Sequence, residues 1–236
     1  QPDTALHNTS HLMQYHDLIE SIVAAMDARD AYTAKHSDRV ADMVLVLATA
    51  LDLSEDETTL LHMAAHLHDI GKIAVPDSVL RKAGPLTSPE WEEMRRHPVT
   101  GYEILRKVDD FKEIAVLVRH HHERWDGRGY PDGLRGADIP LGSRILAVAD
   151  SIDAMMSSRS YRPAMTSAAC RREIERNSGI MYDPCVAAAA LEHWDELVSR
   201  YAEADTPQTP YFDRMQLEHT RQAHDYLLTH QGSRIT

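Results

Sequence analysis

"LSEDETTLLHMAAHLHDIGK", residues 53–72, is the stretch on which the fold turns. It opens with a capping box, because Ser54 and Glu57 three residues on can satisfy each other's backbone amides at a helix start. Apolar residues then recur at three-to-four spacing, the period of an amphipathic helix. Gly71 reads as the stop, so a helix is expected from the box to Asp69. Its closing turn crowds His66, His68 and Asp69 together just before the chain turns away.

The same period continues on both sides. Leu12, Leu18, Ile19, Ile22, Val23 and Met26 predict a helix from about His11 to Arg29, and a second runs from about Ala34 to Leu51. Ser88 with Pro89 marks a further start, leading through "EWEEMRRH" to His97-Pro98, after which "TGYEILRKV" and "EIAVLVRHHHE" keep the helical pattern. "RWDGRGYPDGLRGADIP" holds too much turn chemistry for a helix and predicts a structured loop, in which Gly127 and Gly129 permit turns or close approach and Pro131 stiffens the residues after it. "LGSRILAVADSIDAMMSS" and "TSAACRREIERN" return to helix, and Asp183-Pro184 opens an alanine-rich helix towards Arg200. "AEADTPQTP" then reads as a linker to one last amphipathic helix. Strand alternation is rare and no internal repeat is present, so the fold expected is an all-α helical bundle.

Composition bounds the function. With 236 residues, 43% of them hydrophobic, the chain can bury a large core. No run approaches the roughly eighteen apolar residues of a membrane span and no signal segment opens the chain, which predicts a soluble, cytoplasmic protein. A net charge of −12 argues against a broad basic face for long nucleic acid, while small anions remain accessible wherever a bound metal supplies a local positive field. Cys170 and Cys185 form no CxxC pattern and suggest neither a disulfide framework nor a thiolate metal site. The first residue, Gln1, suggests a fragment of a longer protein.

The 15 histidines are the unusual feature. Imidazole and carboxylate are the usual ligands of first-row transition metals. His36, His68 with Asp69, His97, the run His120-His121-His122 and Asp150 each fall on or at the end of a different helix, and a bundle can aim such groups at one interior point. One carboxylate bridging two metals would then serve phosphoryl chemistry, by activating water and neutralising charge on the phosphoryl oxygens.

"HDIGK", "RHPVTGYEIL", "HHERWDGRGYPDGL" and "RILAVADSIDAMMSSRSYR" resemble, in order, the signatures of the HD-GYP family of bacterial cyclic di-GMP phosphodiesterases, a branch of the HD superfamily of metal-dependent phosphohydrolases. The likeness runs from about Thr33 to Ala190. It implies an HD-type helical bundle over residues 31–200, with 1–30 as an N-terminal helix connecting from an upstream domain and 201–236 as linker and C-terminal helix. It also implies a centre of divalent transition metals, often iron, with Mn, Ni, Co or Zn equally suited to the shell. The hydrolysis implied is of cyclic di-GMP to pGpG or GMP, by attack of a metal-bridging hydroxide.

Carried over by position, His36, His68, Asp69 and Asp150 match the ligands of one metal, and Asp69 bridges to a second held by His97, His121 and His122. Lys72 matches a lysine that meets the attacking water or the substrate phosphate. Tyr130 matches a residue of the substrate cleft, on a loop that can also contact protein partners, and Arg159 and Arg162 match phosphate contacts. His120 is not expected to be a ligand, His62 and His66 read as surface or packing residues, and Arg144 as the partner of a carboxylate. Three-metal members carry a glutamate four residues before the histidine matching His36, whereas "AYTAKH" places Tyr32 there, so a binuclear centre is expected. A catalytically weak or inactive signalling module that binds a cyclic dinucleotide and protein partners is the alternative. A different HD nucleotide hydrolase is a third, although those lack the "HHERWDGRGYP" stretch. Oligomerisation is left open.

Overall fold

Local chemistry dictates where helices start. Ser54 Oγ accepts the Glu57 amide at 3.3 Å and Glu57 Oε2 accepts the Ser54 amide at 2.9 Å, which is the capping box expected. A second box forms one residue earlier than Ser88-Pro89 suggested: Thr87 is the N-cap, and Glu90 Oε2 accepts its amide at 2.7 Å. Ser88 is therefore the first helical residue, with Pro89 in the position where its missing N–H costs nothing.

The computed structural model describes residues 15–29, 35–158 and 163–202. Over these the chain runs α1 (His16–Arg29), α2 (His36–Ala50), α3 (Glu55–Leu67), a 3-10 helix (Ile70–Ala74), α4 (Asp77–Leu80), α5 (Ser88–Met94), α6 (His97–Leu105), α7 (Lys112–His120), α8 (Leu141–Met156), α9 (Ser167–Arg176), α10 (Pro184–Glu192) and α11 (Trp194–Ala202). Short 3-10 turns at Asp109–Phe111 and Gly136–Asp138 punctuate the connections. No strand forms among the described residues, where a lone bridge pairs Ser178 with Tyr182, and the all-α expectation holds. None of the described helices is long and apolar enough to cross a membrane. Position 11, where α1 was expected to begin, and the linker and last helix from residue 203 onward lie outside the described residues, as do Tyr32, Arg159 and Arg162.

Helices α2, α3, α7 and α8 form the packed centre: α2 lies against α3 and α8, α3 against α7, and α7 against α6 and α8. The buried stripe of α2 is Val40, Val44 and Leu47, at helical spacing, and Leu61 of α3 and Ile145 and Ile152 of α8, on the helices packed against it, are buried as fully. Each such side chain contributes about 1.5–3 kcal/mol through burial, and truncating Leu61 or Ile145 to alanine would cost about 2–5 kcal/mol.

Two expectations need correction. The helix through "LHMAAHLHDIGK" ends at Leu67 rather than Asp69, and the chain tightens into the 3-10 helix Ile70–Ala74 with Lys72 N donating to Asp69 O at 2.9 Å. Gly71 is not a left-handed helix stop. A Cβ there would sit 1.9 Å from His97 O and 2.6 Å from Gly101 N, so glycine is required because the backbone of α6 comes in close. The alanine-rich helix expected to reach Arg200 is likewise two helices, broken at His193 between Glu192 and Trp194.

Candidate metal centre

The close approach of α6 at Gly71 decides the site, because it sets His97, the first residue of α6, beside Asp69. Asp69 is buried, and its two oxygens face different histidines. Oδ2 lies 3.5 Å from His68 Nε2 and 3.8 Å from His36 Nε2, while Oδ1 lies 3.5 Å from His97 Nε2. Two clusters result: His36, His68 and Asp69, and His97, His121 and His122. Asp150 adds a carboxylate to the first, with Oδ1 3.5 Å from His36 Nε2.

Three of these histidines are aimed by the same local device. The Nδ1 of His68, His97 and His121 hydrogen-bonds the carbonyl three residues back, that of Ala65 at 2.6 Å, Met94 at 2.8 Å and Val118 at 2.6 Å. A carbonyl only accepts, so Nδ1 carries the proton and the inward Nε2 presents a lone pair. His36 reaches the same state differently, with Nδ1 2.6 Å from Asp153 Oδ2. Between His97 and His121, Nε2 atoms 3.3 Å apart, lone pair then faces lone pair, and the Nε2 of His36 and His68 lie 3.2 Å apart. Such contacts are repulsive unless a cation lies among them, so this donor set fits divalent metal.

The electrostatics agree. Burial pushes His97 and His121 down to about 4 and lowers His68 and His122, which keeps all four neutral and ligand-ready. Burial works against a charged Asp69, yet Lys72, His68, His97 and His36 around it hold its carboxyl well below the usual range. Lys72 Nζ donates to Asp69 Oδ2 at 2.5 Å. For His36 burial is again the opposing effect, and the hydrogen bond to Asp153 with the nearby carboxylates raises it.

The loop after α7 brings Tyr130 to the second cluster. Its ring lies tilted at 33° to that of His122 with centroids 4.9 Å apart, and Arg95 covers it at 4.6 Å. Burial raises the Tyr130 phenol, which stays protonated. Gly127 takes φ +78°, and a Cβ on Gly129 would sit 2.5 Å from Glu123 Cα, so both expected glycine roles are met in one loop. Asp126 N donates to Ile180 O and Trp125 N to Met181 O, tying the loop to the segment before α10.

The remaining expected groups resolve simply. His120 turns from the centre to Asp132, 2.9 Å away. His62 and His66 are buried on α3 with their rings 4.7 Å apart, hence packing residues. Arg144 pairs with Asp183. Cys170 is buried, Cys185 exposed, and neither is in a disulfide.

Sequence reasoning missed four residues. Asp153 accepts from His36, from Arg39 Nε at 2.5 Å and from Tyr201 Oη at 2.7 Å, a buried acid held ionised one turn beyond Asp150. Glu123, directly after the histidine run, accepts the Asp132 and Gly133 amides at 2.7 and 3.0 Å and so pins the tyrosine loop. A second acid at one-turn spacing in "VADSIDAM" was the available signal for Asp153 and an acid directly after three histidines for Glu123, while nothing local marks Arg39 or Tyr201.

The HD domain family matches residues 17–186. The chain is 40% identical over 188 residues to the 3'3'-cGAMP-specific phosphodiesterase 2 of Vibrio cholerae, covering 78% of this chain and 35% of that protein. It is 44% identical over 175 residues to the cyclic di-GMP phosphodiesterase response regulator RpfG of Xanthomonas campestris, covering 73% and 46%. It therefore spans less than half the length of these two relatives. Among solved structures, a cyclic GMP-AMP specific phosphodiesterase of V. cholerae matches with TM-score 0.61 at 20% identity, over 80% of this chain and 50% of that one, which supports the fold. With its four motifs in order and the histidines and aspartates they carry gathered at one centre, the chain belongs to the HD domain family and, within it, to the HD-GYP group.

Proposed function

We propose that the chain is a metal-dependent phosphodiesterase that hydrolyses cyclic di-GMP, or a related cyclic dinucleotide, to linear pGpG or on to GMP. The observation that carries this reading is Asp69, a buried carboxylate whose two oxygens face separate groups of inward imidazole nitrogens with Lys72 on its edge. His36, His68, Asp69 and Asp150 would hold one ion, and Asp69, His97, His121 and His122 a second. Bound there, two cations would lower the pKa of water and neutralise charge on the phosphoryl oxygens. Iron is the metal proposed, since a shell of imidazole and carboxylate without thiolate suits it, as it suits Mn, Ni, Co or Zn.

The chain's own groups do the rest. Lys72 places an ammonium where charge gathers on the phosphoryl group as the P–O bond to the ribose breaks. Tyr130 offers a protonated phenol to the substrate cleft, and Arg159 and Arg162 are assigned to the phosphates, which guanidinium groups meet in pairs. Water adds to phosphorus and the ribose oxygen leaves as an alcohol, so a ring-opened dinucleotide is the first product. Tyr32 in place of an acidic ligand supports two ions rather than three, because a neutral phenol is a poor ligand for a hard cation. The loop around Tyr130 also offers a contact surface for a protein partner.

Anaerobically purified protein of known metal content, incubated with each cyclic dinucleotide and resolved by chromatography, tests the reading. A linear dinucleotide or mononucleotide from at least one substrate is expected. Bound substrate with no cleavage at full metal loading would overturn it.

A further inference from the structure

Arg29 closes α1, and its guanidinium reaches across to the segment that carries Lys72. Nη1 donates to Lys72 O at 2.9 Å and Ile73 O at 2.7 Å, and Nη2 donates to Val75 O at 2.6 Å. Nε and Nη2 also meet Asp77 Oδ1, at 3.2 and 2.8 Å. In the opposite direction Arg81 donates through Nε, at 3.0 Å, and Nη2 to the carbonyl of Arg29 itself. The end of α1 and the chain from Lys72 to Arg81 are thereby held from both sides.

That segment needs holding. It is a 3-10 turn, whose hydrogen-bond geometry is poorer than an α-helix's, closed at its two ends by Lys72 N to Asp69 O at 2.9 Å and Val75 N to Lys72 O at 3.0 Å. Against α6 the segment is packed, with Ile70 and Val75 buried, but towards α1 apolar packing leaves a gap. Ile22, Ala25 and Met26 of α1 and Ile70 and Ile73 of the turn line a cavity of about 350 Å³, and Ile73 is 58% exposed. A planar fork of donors satisfying three carbonyls of one short segment supplies, on the α1 side, the constraint that the cavity leaves out.

We infer that Arg29 is a positioning residue for Lys72, fixing the backbone of residues 72–75 and so holding the Lys72 ammonium against Asp69. Its consequence for catalysis rests on the proposed role of Lys72; the structural coupling does not. Substrate need not touch Arg29, whose donors are committed to protein carbonyls and Asp77.

Amide hydrogen exchange on the metal-loaded chain tests this, comparing wild type, Arg29→Ala and Arg29→Lys, with metal content measured alongside. In Arg29→Ala the amides of Lys72 and Val75 should exchange about tenfold faster, the expected loss of charge-assisted hydrogen bonds, at unchanged metal content. Arg29→Lys keeps the charge without the fork, should recover part of the protection, and carries the same reading if the alanine variant fails to fold. Unchanged exchange at 72–75, with loosening confined to α1, would overturn the inference. In the activity assay, Arg29→Ala should lower kcat in the wild-type background and have no further effect with Lys72→Ala. Additive losses would mean that Arg29 acts on something other than Lys72. Absence of cleavage by wild type would sink the proposed phosphodiesterase, and the exchange result would still decide the role of Arg29.

Discussion

The two halves of the centre are built from similar side chains but braced differently. His97 and His121 are aimed by carbonyls three residues away, Met94 and Val118, so the geometry of their own helix ends suffices. His36 depends on Asp153, which Arg39 and Tyr201 hold in turn, a network joining α2, α8 and α11 across the core. The first half therefore combines a tertiary brace at His36 with a local one at His68 and carries the carboxylates, while in the second His97 and His121 are braced locally and the cluster is all imidazole. Among the described residues, Asp69 is the carboxylate with oxygens near histidines of both halves.

The largest effect should come from removing that shared group. Asp69→Ala is expected to take turnover to background and to lower bound metal at both halves, because one carboxylate is lost from each. Metal content by mass spectrometry beside the activity assay checks it, and normal metal with full turnover would break the comparison at its root.

Asp153→Asn separates the halves. It leaves His36 without its anionic brace and should weaken metal at the first half by about 10–100-fold, with the second unchanged. A two-step binding isotherm would show one step moved and the other in place. Equal movement of both steps would mean that the bracing is not divided as described.

Gly71→Ala tests the close approach that unites them. A methyl group 1.9 Å from His97 O cannot be accommodated without moving α6, and a loss of about 1–3 kcal/mol in denaturant unfolding is expected, with metal affinity falling mainly at the second half. Stability like that of wild type would return Gly71 to an ordinary turn residue.

A smaller effect concerns acid. His97 and His121 titrate at about 4 in the fold and His68 and His122 are lowered too, so in metal-free protein the unfolded chain takes up protons first as pH falls below about 6.5. Their contribution is lost between pH 6.5 and 4. His36, raised in the fold, opposes them by favouring the folded state on the acid side of 6.5. Four groups against one leave the metal-free chain less stable at pH 5 than at pH 7. Denaturation midpoints at the two pH values measure it, and a higher midpoint at pH 5 would show that His36 dominates.

Legibility in the sequence divides along the same line. The helices, the Ser54–Glu57 box and the structured loop were legible because period and capping are local. Resemblance supplied the ligand set at positions that the fold gathers. Asp153 escaped notice because its partners lie 117 and 48 residues away in the chain, and no local pattern marks a buried acid as a brace. Gly71 was misread for a related reason: its glycine is demanded by the backbone of another helix, not by its own φ. The break at His193 went unseen because the alanine run continues the helical signal towards it.

The most direct measurement is the rate of cyclic dinucleotide cleavage as metal is added back, anaerobically, to metal-free protein. Cleavage should stay near background through the first bound equivalent and rise with the second, since Asp69 is placed to serve two ions together. Full activity with one equivalent, or none at any loading, would contradict a two-ion phosphodiesterase centred on Asp69.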